Sequence, residues 1–255
     1  MDPRYRNLIA REFQNCVENT IRRVTTRVDD YRPFHAALLS EEVLFWSAFE
    51  RSFSTSFGQR VIEEVAKLVV LSNGADHAER QHVTNISIDQ AYEDAIHHHM
   101  QDLRMHRGFS SWDQTLQHVL ATPRSGQVEE IRVISDLWWQ KDGIDNFISL
   151  KTVKPNIDQT AVAKEDCLHL SVAIPGCHTY FGLPYNPFGE HREDYSFNPP
   201  MGVFDFRRDS VVLIGRQMWD TLGGEGCYAE LLQIAAEVGA NTRREITALR
   251  SGTSE

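Results

Sequence analysis

The strongest constraint in this chain is a pair of β-forming runs placed around an Asp-Gly dipeptide. Residues 131–140 (Ile-Arg-Val-Ile-Ser-Asp-Leu-Trp-Trp-Gln) are rich in β-branched and aromatic side chains. After Lys141-Asp142-Gly143 a second such run follows, from Asn146 through Val153. Two runs of this kind around Asp-Gly predict a β-hairpin. With the turn at Asp142-Gly143, antiparallel register sets Asp136 opposite Ser149. The two-residue period of a strand points Ser149 and Lys151 the same way. Asp136, Ser149 and Lys151 are therefore expected on one face of the hairpin. An acid and a lysine on paired strands suit metal-dependent phosphodiester hydrolysis. The carboxylate holds the cation that activates water, and the lysine orients that water or offsets charge on phosphorus. The bland alternative is a solvated cross-strand ion pair.

The rest of the chain sets the context. Its 255 residues, 41% hydrophobic and 24% charged, are enough for a core without disulfide or metal staples. The net charge of −10 argues against coating nucleic acid by bulk charge, although a local basic cleft is compatible with it. Cys16, Cys167, Cys177 and Cys227 are scattered, without zinc spacing, and read as reduced, mostly buried thiols of an intracellular protein. No secretion signal or membrane-length apolar run is visible. Apolar residues spaced by three and four predict an arginine-faced amphipathic helix over residues 4–28. Further helices are expected over 40–50, from Phe57 to about Leu71, and over 87–105. Residues 52–56 read as a Ser/Thr-rich turn and 73–86 as a polar loop. Beyond the hairpin come a helix over 158–170, strands near 179–183 and 210–215, and helices over 217–222, 228–238 and 242–250. Gly223-Gly224 reads as a C-cap between the first two of these. The expected fold is one α/β domain: a central mixed β-sheet flanked by helices, with a mainly helical part over 1–122 and a sheet-containing part over 123–255.

The wording of the hairpin adds to this. Ser135-Asp136-Leu137-Trp138, with Ile148-Ser149-Leu150-Lys151-Thr152-Val153-Lys154-Pro155-Asn156, resembles the active-site core of type II restriction endonucleases of the PD-(D/E)XK superfamily. It is most similar to the TdeIII-like group and relatives that cut GGNCC-type sites. Residues 50–59 with Glu63, residues 184–187, 214–224 and 228–232 extend the resemblance in order along the chain. It implies a restriction-endonuclease-like core, Mg²⁺ as cofactor, double-stranded DNA as substrate and a short palindromic target. A palindrome implies a homodimer, one subunit per strand. The system implies a cognate DNA methyltransferase and a prokaryotic cytoplasm. The family pattern has Asp or Glu two residues before the lysine, where this chain has Ser149, a poor ligand for a hard cation. Another carboxylate must then fill the place. Glu63 or Glu64 is the first candidate, and only one of two adjacent helical residues faces a site easily. Glu129 and Glu130 are the reserve. Candidate DNA contacts are Lys154, Gln159, Asn186, Arg192, Arg207, Arg208 and the arginines of the first helix. His97-His98-His99 fan out around a helix and cannot chelate one ion together. Two other readings stay open: a non-restriction nuclease of the same fold, and a DNA-binding module that lost its metal site.

Overall fold

A computed structural model describes residues 1–26, 32–105, 107–108, 111–197 and 202–252. The last two residues of the helix expected over 4–28, Arg27 and Val28, lie outside these residues. Five strands form one sheet in chain order: β1 (His77–Asp89), β2 (Val128–Lys141), β3 (Ile144–Leu150), β4 (His178–Leu183) and β5 (Val212–Ile214). β1 to β3 are antiparallel neighbours, whereas β4 and β5 run parallel to β3, so the sheet is mixed as expected. The hairpin register is the one read from the Asp-Gly turn, with Leu137 opposite Ile148 and Trp138 opposite Phe147. Asp142 and Gly143 both take positive φ, 53° and 73°, the conformation of a tight type I′ connection.

Nine α-helices among the described residues accompany the sheet: α1 (Pro3–Thr25), α2 (Pro33–Leu38), α3 (Glu41–Ser56), α4 (Ile62–Ser72), α5 (Gln90–Arg104), α6 (Trp112–Leu120), α7 (Ile157–Ala173), α8 (Arg216–Gly223) and α9 (Cys227–Gly252). One apolar layer joins α1, α4, α8 and α9 to Leu137, Trp139, Ile148 and Leu213 of the sheet. A second joins α5, α6 and α7 to Phe181, Leu183, Val212 and Ile214. Ile86, Ile88, Val133, Phe147 and Leu170 form a smaller cluster along α7. Cys16, Cys167 and Cys227 are buried, and all four cysteines are free thiols.

Three sequence expectations change. Residues 52–56 are not a turn: α3 runs through them and passes by a π-helical segment, Phe57–Val61, into α4. Local Ser/Thr preference loses there to packing of Phe53 and Phe57 on the core. Residues 73–86 are not a loop, because β1 occupies most of them. Its outward-facing positions are so polar that the two-residue alternation was masked. The mainly helical part over 1–122 thus also contributes one full strand. The two final helices are one continuous helix, α9. The short helices α2 and α6 had no reading.

The parallel step β3–β4 brings the backbone close at Gly182. A Cβ there would lie 2.6 Å from Ile148 Cδ1, 3.0 Å from Met218 Sδ and 3.1 Å from Leu150 Cδ2. Gly182→Val should cost about 1–3 kcal/mol by overpacking, read as a lower melting temperature.

Candidate active site

The site is assembled at the β2–β3 hairpin. Asp136 sits in the middle of β2, and Lys151 immediately follows β3, where its N–H donates to the Gly182 carbonyl at 3.0 Å. Three donors converge on Asp136 Oδ2: Lys151 Nζ at 2.9 Å, the Leu150 N–H at 2.7 Å and the Ser149 hydroxyl at 3.4 Å. Asp136 and Lys151 are each about four-fifths buried, with side-chain exposures of 18% and 22%. Part burial strengthens the pair relative to one in open water.

The opposite oxygen, Asp136 Oδ1, accepts from Gln81 Nε2 at 3.2 Å, and the same amide nitrogen donates to Glu63 Oε1 at 3.1 Å. Two carboxylates from β2 and α4 thus flank one amide. Burial pushes the Glu63 carboxyl above its usual range and Asp136 pushes it further, against the hydrogen bond from Gln81 and the charges of Arg80 and Lys151. Glu64 turns elsewhere, into a 3.0 Å ion pair with Arg80 Nε. Of the two adjacent acids, Glu63 is the one brought to Asp136. Glu129 and Glu130 lie at the far end of β2, paired with Ile88 and Ser87, about 20 Å along the strand. They are not part of this cluster.

Sequence reading missed two residues. Gln81 was hidden inside the supposed loop. Asp166, on α7, is held up to about 6, by burial first and by Glu165 and Asp136, against His169 and Lys151. Its signal would have been an acid on the inner side of the helix that follows the hairpin.

The candidate DNA contacts divide. Lys154 lies over the Phe188 ring at 5.2 Å and is exposed. Arg208 is 88% exposed. Arg207 Nε donates to the Tyr195 carbonyl at 3.0 Å. Arg192 is spent inside the protein, donating to the carbonyls of Phe206 and Asp209 and to Gln217 Oε1. Asn186 shapes its own loop, accepting from the Phe188 N–H and donating to the His191 carbonyl. Gln159 closes a capping box with Asn156 at the start of α7. On α1, Arg6 pairs with Glu237 and Arg23 donates to Ser56. The three histidines of α5 diverge: His99 is buried near Thr115, His98 meets the Asp94 carbonyl and His97 meets Gln101.

The donor set fits a hard divalent cation. Mg²⁺ typically takes one or two carboxylates and completes its shell with water and substrate phosphate. Asp136 and Glu63 supply that number. Among the described residues no group of three or more His, Cys, Asp or Glu side chains is placed to hold an ion.

A mixed five-stranded sheet wrapped by helices, with an acid and a lysine joined across its central hairpin, defines a restriction-endonuclease-like α/β core. The family model for the type II restriction endonuclease HinfI matches residues 3–239, and the chain belongs to that family. It is 31% identical to the type II restriction enzyme HgiEI of Herpetosiphon aurantiacus, over 95% of this chain and 89% of that enzyme. Identity to HgiCII of the same organism is 30%, over 86% of this chain and 81% of that enzyme. HgiBI, also from that organism, is 30% identical over 95% and 89%. No solved structure gives a significant match. The protein is a site-specific deoxyribonuclease acting on DNA. No helix among the described residues is long and apolar enough to cross a membrane.

Asp166 gives a pH test of the neighbourhood. An acid whose folded value lies above its unfolded one favours the folded state while protonated, and that benefit disappears as pH rises through about 6. Asp166→Asn should therefore gain stability relative to the wild type between pH 4 and pH 8, by at most about 3 kcal/mol. Melting curves across that range check it.

Proposed function

We propose that this enzyme hydrolyses phosphodiester bonds of double-stranded DNA in a Mg²⁺-dependent reaction, at a short palindromic site with a GGNCC-like core. The observation that carries the reading is the single Asp136 carboxylate shared between Lys151 on one oxygen and, through Gln81, Glu63 on the other. The active site follows the PD-(D/E)XK plan, with the missing second acid at Ser149 replaced by Glu63 from α4. Asp136 and Glu63 would hold Mg²⁺, which when bound lowers the pKa of the attacking water and neutralises charge on the phosphate. Lys151 orients that water by hydrogen bonding and offsets the charge developing on the phosphoryl oxygens. Ser149 donates to Asp136 and helps fix its rotamer. Glu64, tied to Arg80, has a structural role.

Phosphate contacts are assigned to Lys154, Arg207 and Arg208, which set the register of the duplex. Base reading falls to the surrounding loop. A two-fold symmetric target calls for a homodimer with one site per strand. A methyltransferase of matching specificity would protect host DNA, in a prokaryotic cytoplasm.

Incubation with plasmid DNA and Mg²⁺ should give discrete fragments whose sequenced ends share a palindrome, and chelation with EDTA should abolish them. A smear would instead mark an unspecific nuclease, and intact DNA a binding module. Asp136→Ala and Lys151→Ala should each lower cleavage at least about a hundredfold. Glu63→Ala should do the same, whereas Glu64→Ala should leave the rate within about tenfold. Equal losses at 63 and 64 would overturn the assignment of the second acid.

A further inference from the structure

Gln81 stands out for its backbone before its side chain. It lies inside a long antiparallel strand yet has φ of +51°, a left-handed conformation that a residue with a Cβ adopts at a cost. Asp142, in the hairpin turn, is the other non-glycine residue with positive φ among the described residues. The ladder shows the disturbance. Arg80 pairs with Leu137 and His82 with Ser135, while Gln81 and Asp136 between them are not registered as partners.

The kink has a geometric result. In a regular strand consecutive side chains leave on opposite faces. Here consecutive residues both reach α4: Arg80 Nε lies 3.0 Å from Glu64 Oε2, and Gln81 Nε2 lies 3.1 Å from Glu63 Oε1. Gln81 also reaches across the ladder to Asp136 Oδ1 at 3.2 Å. Strain of this kind persists where the surroundings over-determine it, and it concentrates at functional sites. Here the surroundings are the two carboxylates. Their oxygens accept from one amide nitrogen and, on the reading above, are the oxygens that would ligate Mg²⁺.

We propose that Gln81 is a positioning residue of the nuclease site, its left-handed kink in β1 aiming one amide between Glu63 and Asp136 so that the two carboxylates are held ready for a divalent cation. The proposal rests on the assignment of Glu63 and Asp136 as the metal-binding pair. A like-charged pair drawn from different elements, a helix and a strand, has no covalent reason to stay together. A shared N–H donor supplies one, and the residue that carries it is exposed. Partners that orient ligands in this way typically account for 10–100-fold in metal affinity.

The test uses Gln81→Gly, which accepts positive φ without cost and lacks the amide, and Gln81→Asn, which tolerates the same backbone but is one methylene short. Thermal-shift titration with CaCl₂, without DNA, reads cation binding directly. Plasmid cleavage across a MgCl₂ series reads the half-saturating concentration separately from the maximal rate. Expected for both variants are an unchanged or higher melting temperature without cation and an apparent Ca²⁺ affinity lower by about tenfold or more. The half-saturating Mg²⁺ should rise by a similar factor, with the rate at saturating Mg²⁺ within a few-fold of wild type. Variants that bind Ca²⁺ and respond to Mg²⁺ as the wild type does overturn the role of Gln81 alone. A wild-type protein that takes up no Ca²⁺ and cleaves nothing overturns the metal pair itself, and the role of Gln81 with it.

Discussion

The architecture of the site depends on one acceptor. Asp136 has four donors from two places in the chain: a main-chain N–H, a hydroxyl and an ammonium from the end of β3, and an amide from β1. An isolated carboxylate so far out of solvent would be costly. Satisfied in this way, it becomes a fixed point around which the two strands are aligned. The Leu150 N–H is available because β3 ends its antiparallel ladder with β2 at this point and Lys151 turns its own N–H to Gly182 of β4. The transition from antiparallel to parallel pairing is thus what opens room for the cluster.

Two sides of the sheet serve it. Leu137, Trp139 and Ile148, adjoining the site in sequence, pack into the layer that includes α4, so the helix carrying Glu63 is anchored by the same strands that carry Asp136 and Lys151. On the other side α7 starts six residues after Lys151 with a capping box, and places Asp166 within electrostatic reach of both Asp136 and Lys151. Farther along α7, His169 Nε2 meets Glu93 of α5 at 2.6 Å. Rigid elements on both faces hold side chains more accurately than loops would.

Much of this was legible in the sequence because the hairpin obeys short-range rules. The Asp-Gly turn and the alternation around it dictate which residues oppose one another, and so bring Asp136, Ser149 and Lys151 together by local rules alone. The choice between Glu63 and Glu64 was not legible. It depends on Arg80 and Gln81, which belong to a strand whose outward residues are almost all polar and which therefore looked like a loop. The basic residues of the 185–208 region were equally opaque. Composition marks Arg192 as a DNA contact, but its guanidinium closes three internal hydrogen bonds. Long-range capture of a polar side chain leaves no trace in local pattern. Likewise, the Ser/Thr run at 52–56 followed tertiary packing against its own propensity.

The π-helical segment at Phe57–Val61 carries a consequence for how such an enzyme can change over time. A widened turn accommodates one more residue than a regular helix, and each residue advances the helix by about 100°. The angular phase of α4 relative to α3 is therefore written into the length of that segment. Substitutions along α3 can accumulate without moving the acid that follows, whereas a single-codon insertion or deletion between 57 and 61 would rotate Glu63 away from Asp136 in one step. Lineages carrying this plan should tolerate sequence drift there far better than drift in length.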